Sequence, residues 1–140
     1  MRLNGLRLSW TALTAVVVGL VISLASCAKV GPVTQVTVPD VKSVTGTWKG
    51  LVYRSGVEPD RVTLTIREDG SYDLVSDQRP GTSAGRGKLV IADGRLLFEG
   101  ERGRGVGTLL RNPGGDLVMN VDATLSDNSV LTAKLFPSNP

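Results

Sequence analysis

The 140-residue sequence contains no histidine and a single cysteine, Cys27. The first absence removes the commonest general base, the Ser-His and Cys-His dyads and every His-containing metal site. The second excludes an internal disulfide. Aromatics are scarce as well, with two each of Trp, Tyr and Phe. Trp10 lies in the leading apolar run, so the aromatic wall area of any pocket can come only from Trp48, Tyr53, Tyr72, Phe98 and Phe136. An excess of one charge is also missing. Two of the 16 basic residues, Arg2 and Arg7, precede that run, which leaves 14 against 13 acids and a formal balance of +1. A nucleic-acid partner is therefore not expected. Helical periodicity of useful length is absent beyond the leader, and the length gives room for one domain.

What the chain does have is an export segment. Arg2 and Arg7 form a short positive region, and Leu8 to Ala28 carries no charge, with Val16-Val17-Val18-Gly19-Leu20-Val21-Ile22 at its centre. It ends in Leu24-Ala25-Ser26-Cys27, which resembles a bacterial lipobox. The resemblance covers residues 1–29. It implies diacylglyceryl transfer to Cys27, cleavage between Ser26 and Cys27 and acylation of the new amino terminus, palmitate being a typical chain. Small Ala25 and Ser26 suit tight peptidase pockets, and the Cys27 thiolate is a good nucleophile toward the lipid donor. Ordinary cleavage after Ala28, or an uncleaved membrane-spanning helix, are the alternatives. With Ala28 and Lys29 after the cysteine and no Asp at the second position, the resemblance implies a lipid-anchored protein of the cell envelope. If the source has an outer membrane, its periplasmic side is the expected place.

The expected domains are a signal peptide at 1–26, a lipidated terminus and tether at 27–44, and an antiparallel β domain at 45–137. Pro32 and Pro39 lack backbone donors and bias the tether toward extended geometry, so a spacer reaching on the order of 50 Å is expected. The alternative is that Val33 to Val38 pairs as an edge strand.

From Thr45 onward, short β-branched runs are separated by Gly, Asp, Asn and Pro, the pattern of an antiparallel sheet protein. Strands are expected at 46–54, 61–67, 72–77, 86–91, 95–101, 106–111, 116–125 and 129–136. Val62, Leu64 and Ile66 alternate with Thr63, Thr65 and Arg67, so one face points to a core. Asp69-Gly70 and Asp93-Gly94 are hairpin signals. About eight short strands with short turns make an up-and-down meander, closed as a small barrel or sandwich so that no edge is exposed. Gly46-Thr47-Trp48 resembles the Gly-x-Trp opening of lipocalin-like and avidin-like barrels. The resemblance implies that Trp48 closes one barrel end beneath a basic residue from a late strand, Arg111 or Lys134. It also implies that the barrel holds a small apolar ligand. The domain is shorter than a full lipocalin and has no second lipocalin motif, so the expected fold class is all-β with a lipocalin-like small barrel or sandwich.

Two groups are candidate binding residues. Trp48, Tyr72 and Phe98 either line a pocket or form core. Arg86, Lys88, Arg102, Arg104 and Arg111 either make an anion-binding face, since Arg forks match phosphate and carboxylate oxygens, or a solvated face balanced by Asp93, Glu99 and Glu101. Arg102-Gly103-Arg104-Gly105-Val106-Gly107 lacks the Walker Lys-Ser/Thr and a following helix, so it is no phosphate loop. Glu99 and Glu101 share a strand face at about 7 Å, a glycosidase-like spacing on an exposed strand, and are expected to be solvated. Asp116, Asp122 and Asp127 lack the dense oxygen spacing of a calcium loop, and no metal or non-covalent cofactor is expected. The composite expectation is a non-enzymatic envelope lipoprotein that binds membrane lipid through its anchor and a small apolar or anionic ligand or an envelope protein through its barrel. The alternative is a structural accessory subunit without a cavity.

Overall fold

The computed structural model describes residues 31–77 and 84–138. The signal segment, the cleavage junction at Ser26 and the proposed anchor Cys27 lie outside the described residues.

Among the described residues nine strands form one sheet: β1 (Thr34–Val36), β2 (Gly46–Arg54), β3 (Val57–Ile66), β4 (Ser71–Ser76), β5 (Gly85–Ala92), β6 (Arg95–Gly100), β7 (Gly103–Arg111), β8 (Leu117–Leu125) and β9 (Val130–Pro137). From β2 to β9 each strand pairs antiparallel with the next, and β9 returns to β2 with Leu51 opposite Lys134. The result is a closed eight-stranded up-and-down barrel with β1 outside it. Closure gives each of these eight strands a hydrogen-bonded neighbour on both sides over part of its length.

The hairpins follow their local chemistry. Asp93 and Gly94 adopt φ of 52° and 72°, and Ala92 faces Arg95. This is the two-residue turn whose double left-handed conformation favours Asp-Gly. The turns after β3, β5 and β7 gather at one end of the barrel, and those after β2, β6 and β8 at the other.

Most strand boundaries fall within one residue of expectation, and three differences are larger. β3 begins at Val57 rather than Arg61, because Val57 pairs with Arg54 across a tight Ser55-Gly56 turn. Pro59 is tolerated there because β4 pairs with β3 only from Val62 onward and the β2–β3 register shifts between Val52 and Arg54. β7 begins at Gly103 rather than Val106, its early glycines staying in register with β8.

The third difference is larger. The expected spacer over 28–44 does not hold from Thr34 onward; the edge-strand alternative does. Thr34, Gln35 and Val36 pair with Arg111, Leu110 and Leu109. They occupy the side of β7 that β6 leaves unpaired, since β6 reaches only to Gly107. Val38 then donates its N–H to Gly94 O at 3.0 Å. Asp40 caps a short 3-10 helix, Val41–Val44, by accepting from Ser43 N–H at 2.9 Å. Val38 and Val44 are 2% and 1% exposed, so this segment plugs the barrel end with apolar side chains. Ile66, Leu96, Met119 and Leu135 fill the half beneath the plug.

Candidate binding cavity

The two halves of the barrel differ in side-chain volume. Along β7 exposed Arg104 and Val106 alternate with interior Gly105, Gly107 and Leu109, so the inward phase loses its side chains toward one end. Ala123 on β8 and Ala133 on β9 lie on the same interior. Strand period 2 therefore places small residues opposite one another in the half away from the plug. The space they leave is a cavity of about 330 Å³ that opens at that end. Its walls include Val52, Leu64, Tyr72, Leu74, Phe98, Val121, Leu131 and Leu135. This volume and apolar lining fall at the small end of ordinary ligand pockets.

Tyr72 and Phe98 pack edge to face, with centroids 5.2 Å apart and planes at 80°, a favoured aromatic geometry. The Tyr72 hydroxyl sits over Gly100, 2.6 Å from where a Cβ would stand, so Gly100 makes room for it. Burial pushes the Tyr72 phenol above its ordinary value. Trp48, the third expected pocket residue, does not line the cavity. It is 4% exposed near the plugged end, where its indole N–H donates to Val44 O at 2.9 Å.

The mouth is polar. Arg54, Arg86, Arg102, Arg104, Ser126 and Asp127 border it. Arg102 spans from the β6–β7 turn to donate through Nη1 to Ala84 O at 3.2 Å. Asp127 accepts from the Ser129 hydroxyl at 2.6 Å and from its N–H at 2.9 Å. These bonds, with the nearby Arg54 charge, hold its carboxyl below the usual value.

The five basic residues expected to make one face are divided. Arg86 Nε lies 3.6 Å from Glu101 Oε1 on the open surface, and Lys88 and Arg104 both face Glu99 across neighbouring strands. Exposed pairs of this kind contribute little, about 0–1 kcal/mol. Their charges are locally balanced, and neither Glu99 nor Glu101 lines the cavity. Arg111 belongs to the opposite end, where its Nη1 donates to Gly115 O at 3.0 Å. The capping role that the Gly-x-Trp resemblance implied for Arg111 or Lys134 is not what these contacts provide, since Lys134 lies over the outer Phe136 ring at 5.8 Å. Asp116 is tied to Asn112 and Asp122 accepts from Thr132, each within its own turn or strand pair.

Sequence reasoning missed Arg54, Ala123, Leu131, Ala133 and Asp127. A usable signal existed for two of them. Ala123 shares its phase with Val121, and Ala133 with Leu135, so once the strands are paired both alanines must face inward.

Comparison with known proteins returns no match, whether with protein-family models, curated proteins or solved structures.

Proposed function

We propose that this chain is a non-enzymatic cell-envelope lipoprotein, anchored through Cys27, whose barrel holds one small amphiphile with an apolar body and an anionic head. The observation that carries the reading is the cavity of about 330 Å³, apolar in its walls, with Arg54, Arg102 and Asp127 among the described residues at its mouth and Arg86 and Arg104 on its outer rim beside Glu101 and Glu99. An apolar chain entering it leaves water, gaining about 25 cal/mol per Å² of buried apolar surface. A carboxylate or phosphate left at the mouth meets guanidinium forks. Tyr72 adds a hydroxyl to the wall.

The test is titration with dansyl-undecanoate, monitored by emission enhancement and by native mass spectrometry. One-to-one saturable binding supports the reading, and no saturable binding up to millimolar probe rejects it. The anchor has its own test. Cys27→Ser should abolish acylation and release the protein from membranes, and normal lipid labelling of that variant would overturn the anchor.

A second reading, an accessory subunit that docks on an envelope protein, is favoured by one observation. Val90, Leu97 and Val106 stand opposite one another on β5, β6 and β7, and Val90 and Val106 are 46% and 41% exposed. Outer-face Val90→Lys with Val106→Lys should leave probe binding intact and remove any such docking.

A further inference from the structure

We infer that the plugged end of the barrel rests on the lipid headgroups of the bilayer that holds the acyl chains, and that the cavity mouth opens away from that bilayer. This rests on the anchor reading of Cys27. The argument is one of chain length and exit point. The described chain begins at Gly31, where an added Cβ would come within 3.3 Å of Pro113 Cβ. Three residues later Thr34 is paired with Arg111. The chain thus leaves the barrel beside the β7–β8 turn, at the plugged end. Only residues 28–30 separate this point from Cys27.

Four Cα-to-Cα steps reach at most about 14 Å. The barrel is taller than that. The ten residues of β3 run from the mouth to the plugged end, and at about 3.3 Å per residue and a barrel tilt near 40° they rise roughly 20–25 Å. A mouth-down barrel would hold Gly31 that far above the surface, beyond the tether's reach unless β1 peels from β7 and the Val38–Gly94 bond breaks. A mouth-up barrel needs neither. The cavity therefore takes its ligand from the aqueous side or from a facing membrane or carrier, and does not draw it directly from its own bilayer.

The experiment uses the full chain, acylated in its host and reconstituted in phosphatidylethanolamine–phosphatidylglycerol vesicles. Acylation consumes the only native thiol, so one introduced cysteine labels cleanly. Glu68→Cys marks the plugged end and Ser55→Cys the mouth; both positions are exposed and flank the two ends of β3. With a headgroup-linked nitroxide quencher, a height difference of this size should give at least about threefold stronger quenching at position 68 than at 55. Equal quenching, or stronger quenching at 55, in protein of acylated mass would overturn the orientation while leaving the anchor standing. An unacylated mass with no vesicle flotation would overturn the anchor and the orientation with it. As a control, a twelve-residue Gly/Ser insertion after Val30 should abolish the difference, and a difference that survives it would overturn the tether-length argument.

Discussion

Trp48 and Val44 are joined by a buried hydrogen bond, indole N–H to backbone carbonyl at 2.9 Å. The bond ties the end of the 3-10 helix to the first barrel strand and satisfies a carbonyl that the short helix cannot pair itself. Trp48→Phe keeps a ring but removes the donor from that buried bond. The expected loss is about 2–3 kcal/mol, combining the lost hydrogen bond with the lost ring area. A lowered urea midpoint at unchanged slope checks it. An unchanged midpoint would mean that the indole bond to the plug contributes nothing.

The plug itself is testable against the spacer it replaces. A solvated tether predicts no effect of trimming its valines. Buried Val38 and Val44, at 2% and 1% exposure, predict that Val38→Ala and Val44→Ala each cost about 2 kcal/mol through lost burial and residual cavity. Val33→Ala, at 59% exposure, should fall within about 0.5 kcal/mol of wild type. Chemical denaturation of the three variants separates the two accounts.

Gly100 and Tyr72 form a coupled pair. A methyl at position 100 would stand 2.6 Å from the Tyr72 hydroxyl, so Gly100→Ala forces the ring or strand to shift at a cost of about 1–3 kcal/mol. Tyr72→Phe removes the obstructing oxygen. In the double variant part of that cost should return, giving a favourable coupling above about 0.5 kcal/mol in a double-mutant cycle. Additive effects would place the hydroxyl elsewhere.

Two turn carboxylates set a pH response. Asp69 accepts from the Ser71 hydroxyl and N–H, at 2.6 and 2.8 Å, and its carboxyl lies below the usual value chiefly because of those bonds. Asp127 repeats the arrangement with Ser129. A carboxyl whose folded value is depressed adds stability above its unfolded value, near pH 3.9, and loses it as pH falls through the folded one. Both turns should therefore loosen below about pH 4. Asp69→Ala with Asp127→Ala should flatten that acid limb, measured as the urea midpoint between neutral pH and pH 3. A limb of unchanged slope would show that other groups carry the acid response.

Much of the barrel was legible because its signals are local. Asp93-Gly94 demands left-handed φ at two successive residues, and Val62, Leu64 and Ile66 mark an inward phase within one strand. The plug was not legible. Thr34 finds its partner at Arg111, far along the chain, and nothing near Pro32 or Pro39 reports that β7 will have an unpaired side. The cavity was half legible. Tyr72 and Phe98 stood out as aromatics, whereas Ala123 and Ala133 matter for the volume they lack, which is visible only once β8 and β9 are paired. Trp48 was drawn to the pocket by residue type, yet its position near the start of β2 puts it at the plugged end.

That missing volume supports the last prediction. Ala123 is partly buried on β8 and lines the cavity, so Ala123→Leu adds three carbons into open space with little need to displace the core. Stability should change by less than about 1.5 kcal/mol, because the added atoms fill a gap instead of overpacking a full site. Binding of dansyl-undecanoate should fall at least about tenfold, the equivalent of 1.4 kcal/mol. Arg102→Gln acts on the other half of the same ligand. It should weaken the carboxylate probe severalfold, on the order of 1 kcal/mol for a lost charge-assisted bond, and leave a neutral dansyl-undecanamide unaffected. Loss of binding in Ala123→Leu with no discrimination between the two probes in Arg102→Gln would place the chain in the cavity and the head group away from the arginines.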